Sequence, residues 1–370
     1  TASLSQGAAM ALCCCSRERT GAHKADSLDP NATPPRRLGI LACGNPTVDR
    51  TIECTAATLN AAGLVVGDET AGQTAAFKQN ALNVALKSGR VDATTPGGAA
   101  FNTARVAAGR FGTAAAFLGC VGMDADGDFL RQAADISGVR WLLPPVPQAA
   151  TATCAVLVEA QSRDRSLVVV PGAARNLKES HLESAEVTTA MREAAILYAT
   201  SFVLSTPPRA AVVRQMATVA EATGATFALN LSSVGLQKTV APEIVALLPK
   251  TTFLFGNKSE FQAFADACGQ KVIELVAKLH PHGFFVMTQG ADPTIIAGPS
   301  LAAPLKFSVP SIAKEDIVDT NCAGDSFVAG FLAAYERLTF FQGWAQGRAA
   351  RAADADGLAR CVSLGHIAAS

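Results

Sequence analysis

Residues 38–46 read LGILACGNP, an unbroken apolar run stopped by Gly and Pro. A run without polar alternation buries both faces of a strand, the habit of parallel sheets, and the Gly–Asn–Pro break opens a loop at the strand's C-terminal end. The same pattern recurs at AAAFLGCVG (114–122), TCAVLVEA (153–160), SLVVVPG (166–172), AAILYAT (194–200), TFALNLSS (226–233), TTFLFGN (251–257) and GFFVMTQG (283–290). Helix-length segments lie between several of them, such as RAAVVRQMATVAEATG (209–224) and SEFQAFADACG (259–269), each closed by Gly. Strand alternating with helix predicts an α/β fold with a doubly wound, mostly parallel sheet flanked by helices. Residues 50–95 are Thr- and Ala-rich, fit the alternation poorly and are expected to form a lid or small second domain.

Outside this frame, residues 1–38 are turn-rich and are expected to be an unstructured extension, with Cys13, Cys14 and Cys15 beside Arg17 and Arg19 as an acylation or transit-segment alternative. The 370 residues are 49% hydrophobic and 17% charged, which excludes disorder of the bulk. Thirty-one basic residues balance 31 acidic ones, so the surplus positive charge of a nucleic-acid binder is missing. Mean hydropathy is +0.25, yet no apolar stretch reaches the roughly 18 residues of a membrane span. Ten cysteines without a CxxC pair read as reduced thiols of a cytoplasmic protein.

In an open parallel sheet the ligand lies beyond the C-terminal strand ends, where the chain places GNPTVD (44–49), GGAAFN (97–102), NLSS (230–233), GNKSE (256–260), TQGADPT (288–294) and DTNCAGDSF (319–327). The last is the most informative. Cys322, Ala323 and Gly324 precede Asp325, and Phe327, Val328, Phe331, Leu332 and Tyr335 then trace a helical apolar stripe, so the small-residue turn sits at a helix N-terminus suited to an anion. Asp325 reads either as the N-cap or as a general base that takes a proton from an alcohol. Neither GxGxxG nor GxxxxGK[ST] occurs.

GGAAFNTARVAAGRFG with FLGCVGMDADGDFL, and DTNCAGDSFVAGFL, resemble the two signatures of the ribokinase-like (PfkB) family of carbohydrate and nucleoside kinases. Within it the collinear motifs over about 39–370 are most similar to those of adenosine kinases. The resemblance implies one kinase domain over 39–370, with a small lid contributed by about 49–96 and 151–168. It implies phosphoryl transfer from ATP to the adenosine 5′-hydroxyl, with Mg²⁺ as cofactor and a monomer as the working unit. A sugar or other nucleoside as acceptor, and a non-catalytic nucleoside-binding protein, are the alternatives.

Carried over by motif, Asp325 would be the base, with Cys322, Ala323 and Gly324 forming the anion hole. Asp49 would grip the ribose hydroxyls, helped by Asn45, Gly97, Gly98 and Asn102, and Phe202 would stack on the base. Arg165 would reach the triphosphate from the lid. Asn230, Thr288, Gly290 and His366 would line the nucleotide groove, and Asn257 and Glu260 would organise Mg²⁺ through water. Cys322 stands where adenosine kinases carry Gly, and a Cβ there would cost about 1–2 kcal/mol if the position needs φ > 0; other ribokinase-like proteins accept a small Ala or Cys, so activity is expected to survive. The lid stretch around 65–75 matches loosely, 339–356 reads as an insertion, and the family pattern runs on a little beyond the final GHIAAS.

Overall fold

Along β1 (Leu38–Cys43) Ile40 and Ala42 enter one hydrophobic cluster and Leu41 and Cys43 another, so both faces of the strand are buried. That two-sided burial is what an unbroken apolar run requires. The computed structural model describes residues 38–64, 74–162, 165–313, 322–346 and 354–370. The expectations for residues 1–37, for the lid stretch 65–73, for 319–321 and for 347–353 lie outside the described residues, as does the side chain of Arg165.

The remaining strands are β2 (Thr47–Cys54), β3 (Arg90–Gly97), β4 (Ala115–Leu118), β5 (Val139–Trp141), β6 (Thr153–Glu159), β7 (Arg165–Val170), β8 (Ala194–Thr200), β9 (Thr226–Asn230), β10 (Phe253–Asn257), β11 (Phe284–Gln289), β12 (Asp292–Ala297) and β13 (Leu305–Phe307). Nine of them form one sheet in the order β13-β12-β11-β10-β9-β8-β1-β4-β5, all running the same way except β12, which pairs antiparallel with both β11 and β13. Helices cover both faces, giving the doubly wound α/β fold. Gly224 and Gly269, both left-handed, end the helices Pro207–Thr223 and Lys258–Cys268 as expected.

The other four strands form a second sheet, β3-β2-β6-β7. Two of the apolar runs, in β6 and β7, belong here rather than to the parallel sheet: β6 runs parallel to β2 and folds back antiparallel on β7. Their residues alternate, with Ala155, Leu157 and Val168 packing with Ile52, Leu59, Leu82 and Ala85 under the helices Ala56–Ala61 and Ala75–Ser88. The opposite face carries Asp49, paired in register with Cys154 and Thr95. Among the described residues no helix is long and apolar enough to cross a membrane.

Candidate active site

The chain leaves β1 toward β4 on one side and later returns to β8 on the other, so the sheet's crevice opens beyond the C-terminal ends of β1 and β8. Gly44 and Asn45 follow β1, and Phe202 sits half-buried in the 3-10 turn Ser201–Ser205 after β8. Register carries the row of strand ends onward: Thr200 pairs with Asn230, and Asn257 with Thr288. Gly290 makes the following turn with φ +63°.

The second sheet meets this crevice at two glycines. A Cβ on Gly97 would sit 2.1 Å from Asp49 Oδ2, and one on Gly98, at φ +100°, would sit 2.2 Å from the Asn45 carbonyl oxygen. At Gly98 only hydrogen fits against the fixed backbone, and at Gly97 a side chain could enter only by displacing the Asp49 carboxylate. Thr47 Oγ1 donates to Asp49 Oδ1 at 2.7 Å, while burial pushes the Asp49 carboxyl up to about 6 against that hydrogen bond.

The helix Ala323–Gln346 is pinned to the sheet by Phe331, whose ring meets Phe253 and Phe255 edge-on at 5.1 and 5.2 Å. Asp325 therefore lies within its first turn and is not its N-cap. Its carboxylate instead receives a hydrogen bond from Asn102, on the helix Ala99–Phe111: Nδ2 stands 3.0 Å from Asp325 Oδ2 and 3.1 Å from Cys322 Sγ. Thr103 Oγ1 donates to the Asp325 carbonyl at 3.2 Å.

Burial pushes the Asp325 carboxyl up to about 7; the Asn102 amide opposes this, and the charges of Asp49 and Glu260 add to it. The N–H groups of Ala323 and Gly324 open the helix, where a backbone donor has no intrahelical partner, and a Cβ on Gly324 would meet only open space. Cys322, just before, adopts φ +60°, a conformation that favours glycine.

Asn257 and Glu260 form a capping box: Asn257 N–H donates to Glu260 Oε2 and Glu260 N–H to Asn257 Oδ1, each at 2.9 Å. Burial holds the Glu260 carboxyl above its ordinary range. Asn230 donates to the Tyr198 hydroxyl at 3.3 Å. His366 is buried, its Nε2 is 2.9 Å from Thr294 Oγ1 and its ring lies 5.5 Å from Phe327, so it ties the helix Ala355–Ala369 to β12 and to the Asp325 helix.

The structure thus gathers Asn45, Asp49, Gly97, Gly98, Asn102, Cys322 and Asp325 by direct contact. Asn257, Glu260 and Thr288 stand along the strand ends, and His366 stands in the wall behind Phe327. Sequence reasoning missed Arg209, a buried cation whose Nη1 donates to Asn45 Oδ1 at 3.0 Å. Its signal was present: an arginine directly after Pro207 and Pro208 at a helix start, the end where a positive charge is disfavoured.

Residues 62–370 match the family model for pfkB family carbohydrate kinases. The adenosine kinase of Dictyostelium discoideum is 29% identical over 343 residues, covering 90% of this chain and 93% of its own. That of Schizosaccharomyces pombe is 32% identical over 252 residues, covering 64% and 72%. In three dimensions the chain superposes with a TM-score of 0.72 on the Anopheles gambiae adenosine kinase in complex with di(adenosine-5) tetraphosphate, at 26% identity over 89% of this chain and 94% of that one. With both glycine-bearing turns and the acidic helix start lying within the matched span, the chain belongs to the pfkB carbohydrate kinase family, in the branch its adenosine kinase relatives occupy.

Proposed function

We propose that this chain transfers the γ-phosphoryl group of ATP to the 5′-hydroxyl of adenosine, giving AMP and ADP. The observation that carries the reading is the Asp325 carboxyl: buried, aimed by Asn102, next to helix-start amides that have no intrahelical acceptor, and brought to about 7, where a base is half-ionised near neutral pH. Asp325 accepts the hydroxyl proton as the 5′-oxygen bonds to the γ-phosphorus and the bond from that phosphorus to the β-bridging oxygen breaks, with ADP leaving. The amides of Ala323 and Gly324 hold the charge on the phosphoryl oxygens in transit. Asp49 accepts hydrogen bonds from the ribose diol, which a deoxy analogue could not supply.

Mg²⁺ binds largely through phosphate and water, and the half-buried Glu260 carboxylate backed by Asn257 is the oxygen donor suited to hold its water shell. When bound, the ion neutralises phosphate charge.

The second sheet is the lid in this reading, closing Asp49 over the crevice and excluding water from the phosphoryl group. Arg165 on β7, Phe202, Thr288, Gly290, Asn230 and His366 keep the nucleotide and base roles their motifs imply. The buried thiols of Cys43, Cys54, Cys120 and Cys361 suit a cytoplasmic setting, and a monomer is the working unit in this reading. A sugar acceptor is the second reading, favoured by the carbohydrate kinase match.

The test is coupled ADP detection over a panel of adenosine, other nucleosides, ribose and fructose. Adenosine-dependent ADP release that falls about 10²–10⁴-fold in Asp325→Asn, with adenosine binding retained, supports the reading. Preferential turnover of a sugar, or full turnover in that variant, overturns it.

A further inference from the structure

Arg209 occupies an electrostatically poor place. It is buried, with 3% of its surface exposed, and among the described residues no carboxylate pairs with it. It also lies in the first turn of the 17-residue helix Pro207–Thr223, where the helix dipole favours an anion. Burial holds its guanidinium below the ordinary arginine range, and the nearby Arg175 adds to this. A buried charge without a counter-ion is retained against a considerable desolvation penalty.

Its donors go to three neutral oxygens at the crevice. Nε donates to Thr206 Oγ1 at 3.0 Å, Nη2 donates to Ser205 Oγ, and Nη1 donates to Asn45 Oδ1 at 3.0 Å. Arginine has donors and no acceptor, so the Asn45 amide has one allowed direction: its oxygen faces Arg209 and its NH₂ faces away. Asn45 is half-buried, and its Nδ2 has no partner among the described residues. The Asn45 backbone is in turn clamped under Gly98, which fixes the point from which the side chain projects.

We propose that Arg209 is a positioning residue that turns the Asn45 amide so that it meets the substrate's ribose as a hydrogen-bond donor. Resting on the adenosine reading above, this gives the diol a complementary pair: Asp49 accepts from one hydroxyl and Asn45 donates to a hydroxyl oxygen. Arg209 touches no substrate itself and sets the polarity of the residue that does.

The test compares Arg209→Met, Asn45→Ala and the double variant for KM of adenosine, KM of ATP, kcat, and preference for adenosine over its 2′- and 3′-deoxy analogues. Arg209→Met is expected to raise the adenosine KM about tenfold, with ATP KM and kcat within about twofold. Its preference for adenosine should shrink as far as that of Asn45→Ala, and the double variant should be no worse than Asn45→Ala alone. A parental adenosine KM in Arg209→Met, or equal increases in both KM values, overturns the proposal while leaving the adenosine reading intact if Asn45→Ala is impaired. A parental KM in Asn45→Ala removes the ribose from Asn45 and overturns the proposal, while the adenosine reading stands or falls separately on adenosine-dependent ADP release by the parent. Should Arg209→Met not fold, Asn45→Asp decides: its carboxylate pairs with Arg209 and has no donor to turn outward, so a raised adenosine KM in a protein at least as stable as the parent supports the proposal, and a parental KM overturns it.

Discussion

Asn102 Nδ2 stands 3.0 Å from Asp325 Oδ2, a contact between the first turns of two helices 223 residues apart in the chain. A donor on the carboxylate favours its charged form, so this bond draws Asp325 down from where burial alone would put it. The base works ionised, and kcat/KM should therefore rise with pH through about 7. Asn102→Ala should move that midpoint upward. Its rate deficit should be greater at about pH 6.5 than at about pH 8.5, read from a pH series of kcat/KM.

Asp325 should also weaken the fold it serves. Its folded value of about 7 lies above the ordinary 3.8, so the folded chain holds the proton more tightly than the unfolded one. The unfavourable contribution is absent below the unfolded value, grows as pH rises through the window between the two, and is complete above the folded value, reaching up to about 4 kcal/mol. Asp325→Asn should raise the melting temperature at about pH 8, and by much less at about pH 5, in thermal unfolding followed by circular dichroism.

Cys322 holds a left-handed backbone at φ +60° despite its Cβ. Cys322→Gly should relieve about 1 kcal/mol and raise the melting temperature by about 1–2 °C. Cys322→Ala, which keeps the Cβ, should give no such gain in the same calorimetric comparison.

Gly97 offers a sharper lesion. A methyl there would occupy the place of the Asp49 carboxylate, 2.1 Å away, so Gly97→Ala should displace Asp49. The adenosine KM should rise at least tenfold while the ATP KM changes little, since the displaced carboxylate belongs to the ribose side of the crevice.

The apolar runs ending in Gly or Pro were legible as strands because a strand buried on both faces must be apolar throughout, and β1, β4, β8, β9, β10 and β11 appear where the runs do. What runs cannot encode is which sheet they join. TCAVLVE looks like the others, and its place beside β2 follows from long-range pairing with Asp49, Arg50 and Thr51. Asp49 and Asp325 were readable through their motifs, whereas Arg209 belongs to no motif, and its one signal, a cation at a helix start, is outweighed by the rule that places arginine on the surface. The left-handed Cys322 was legible only as a conditional: the sequence carries a Cβ where the motif has none, and the backbone angle decides its effect.

The chain passes between the two sheets at points that are stitched to one another. The Asn45 carbonyl lies against Gly98, where the outgoing and returning chain cross after β1 and β3, and the Ala150 carbonyl accepts from Ala173 N–H at 2.7 Å with Gly172 pressed close, where the chain crosses before β6 and after β7. A third tie stands one residue from Asp49, where Arg50 Nη2 meets both carboxylate oxygens of Asp126, at the start of the helix Ala125–Ser137, at 2.7 and 2.8 Å. The place of the Asp49 carboxylate is thereby set by ties far apart in the chain rather than by the softness of any one loop.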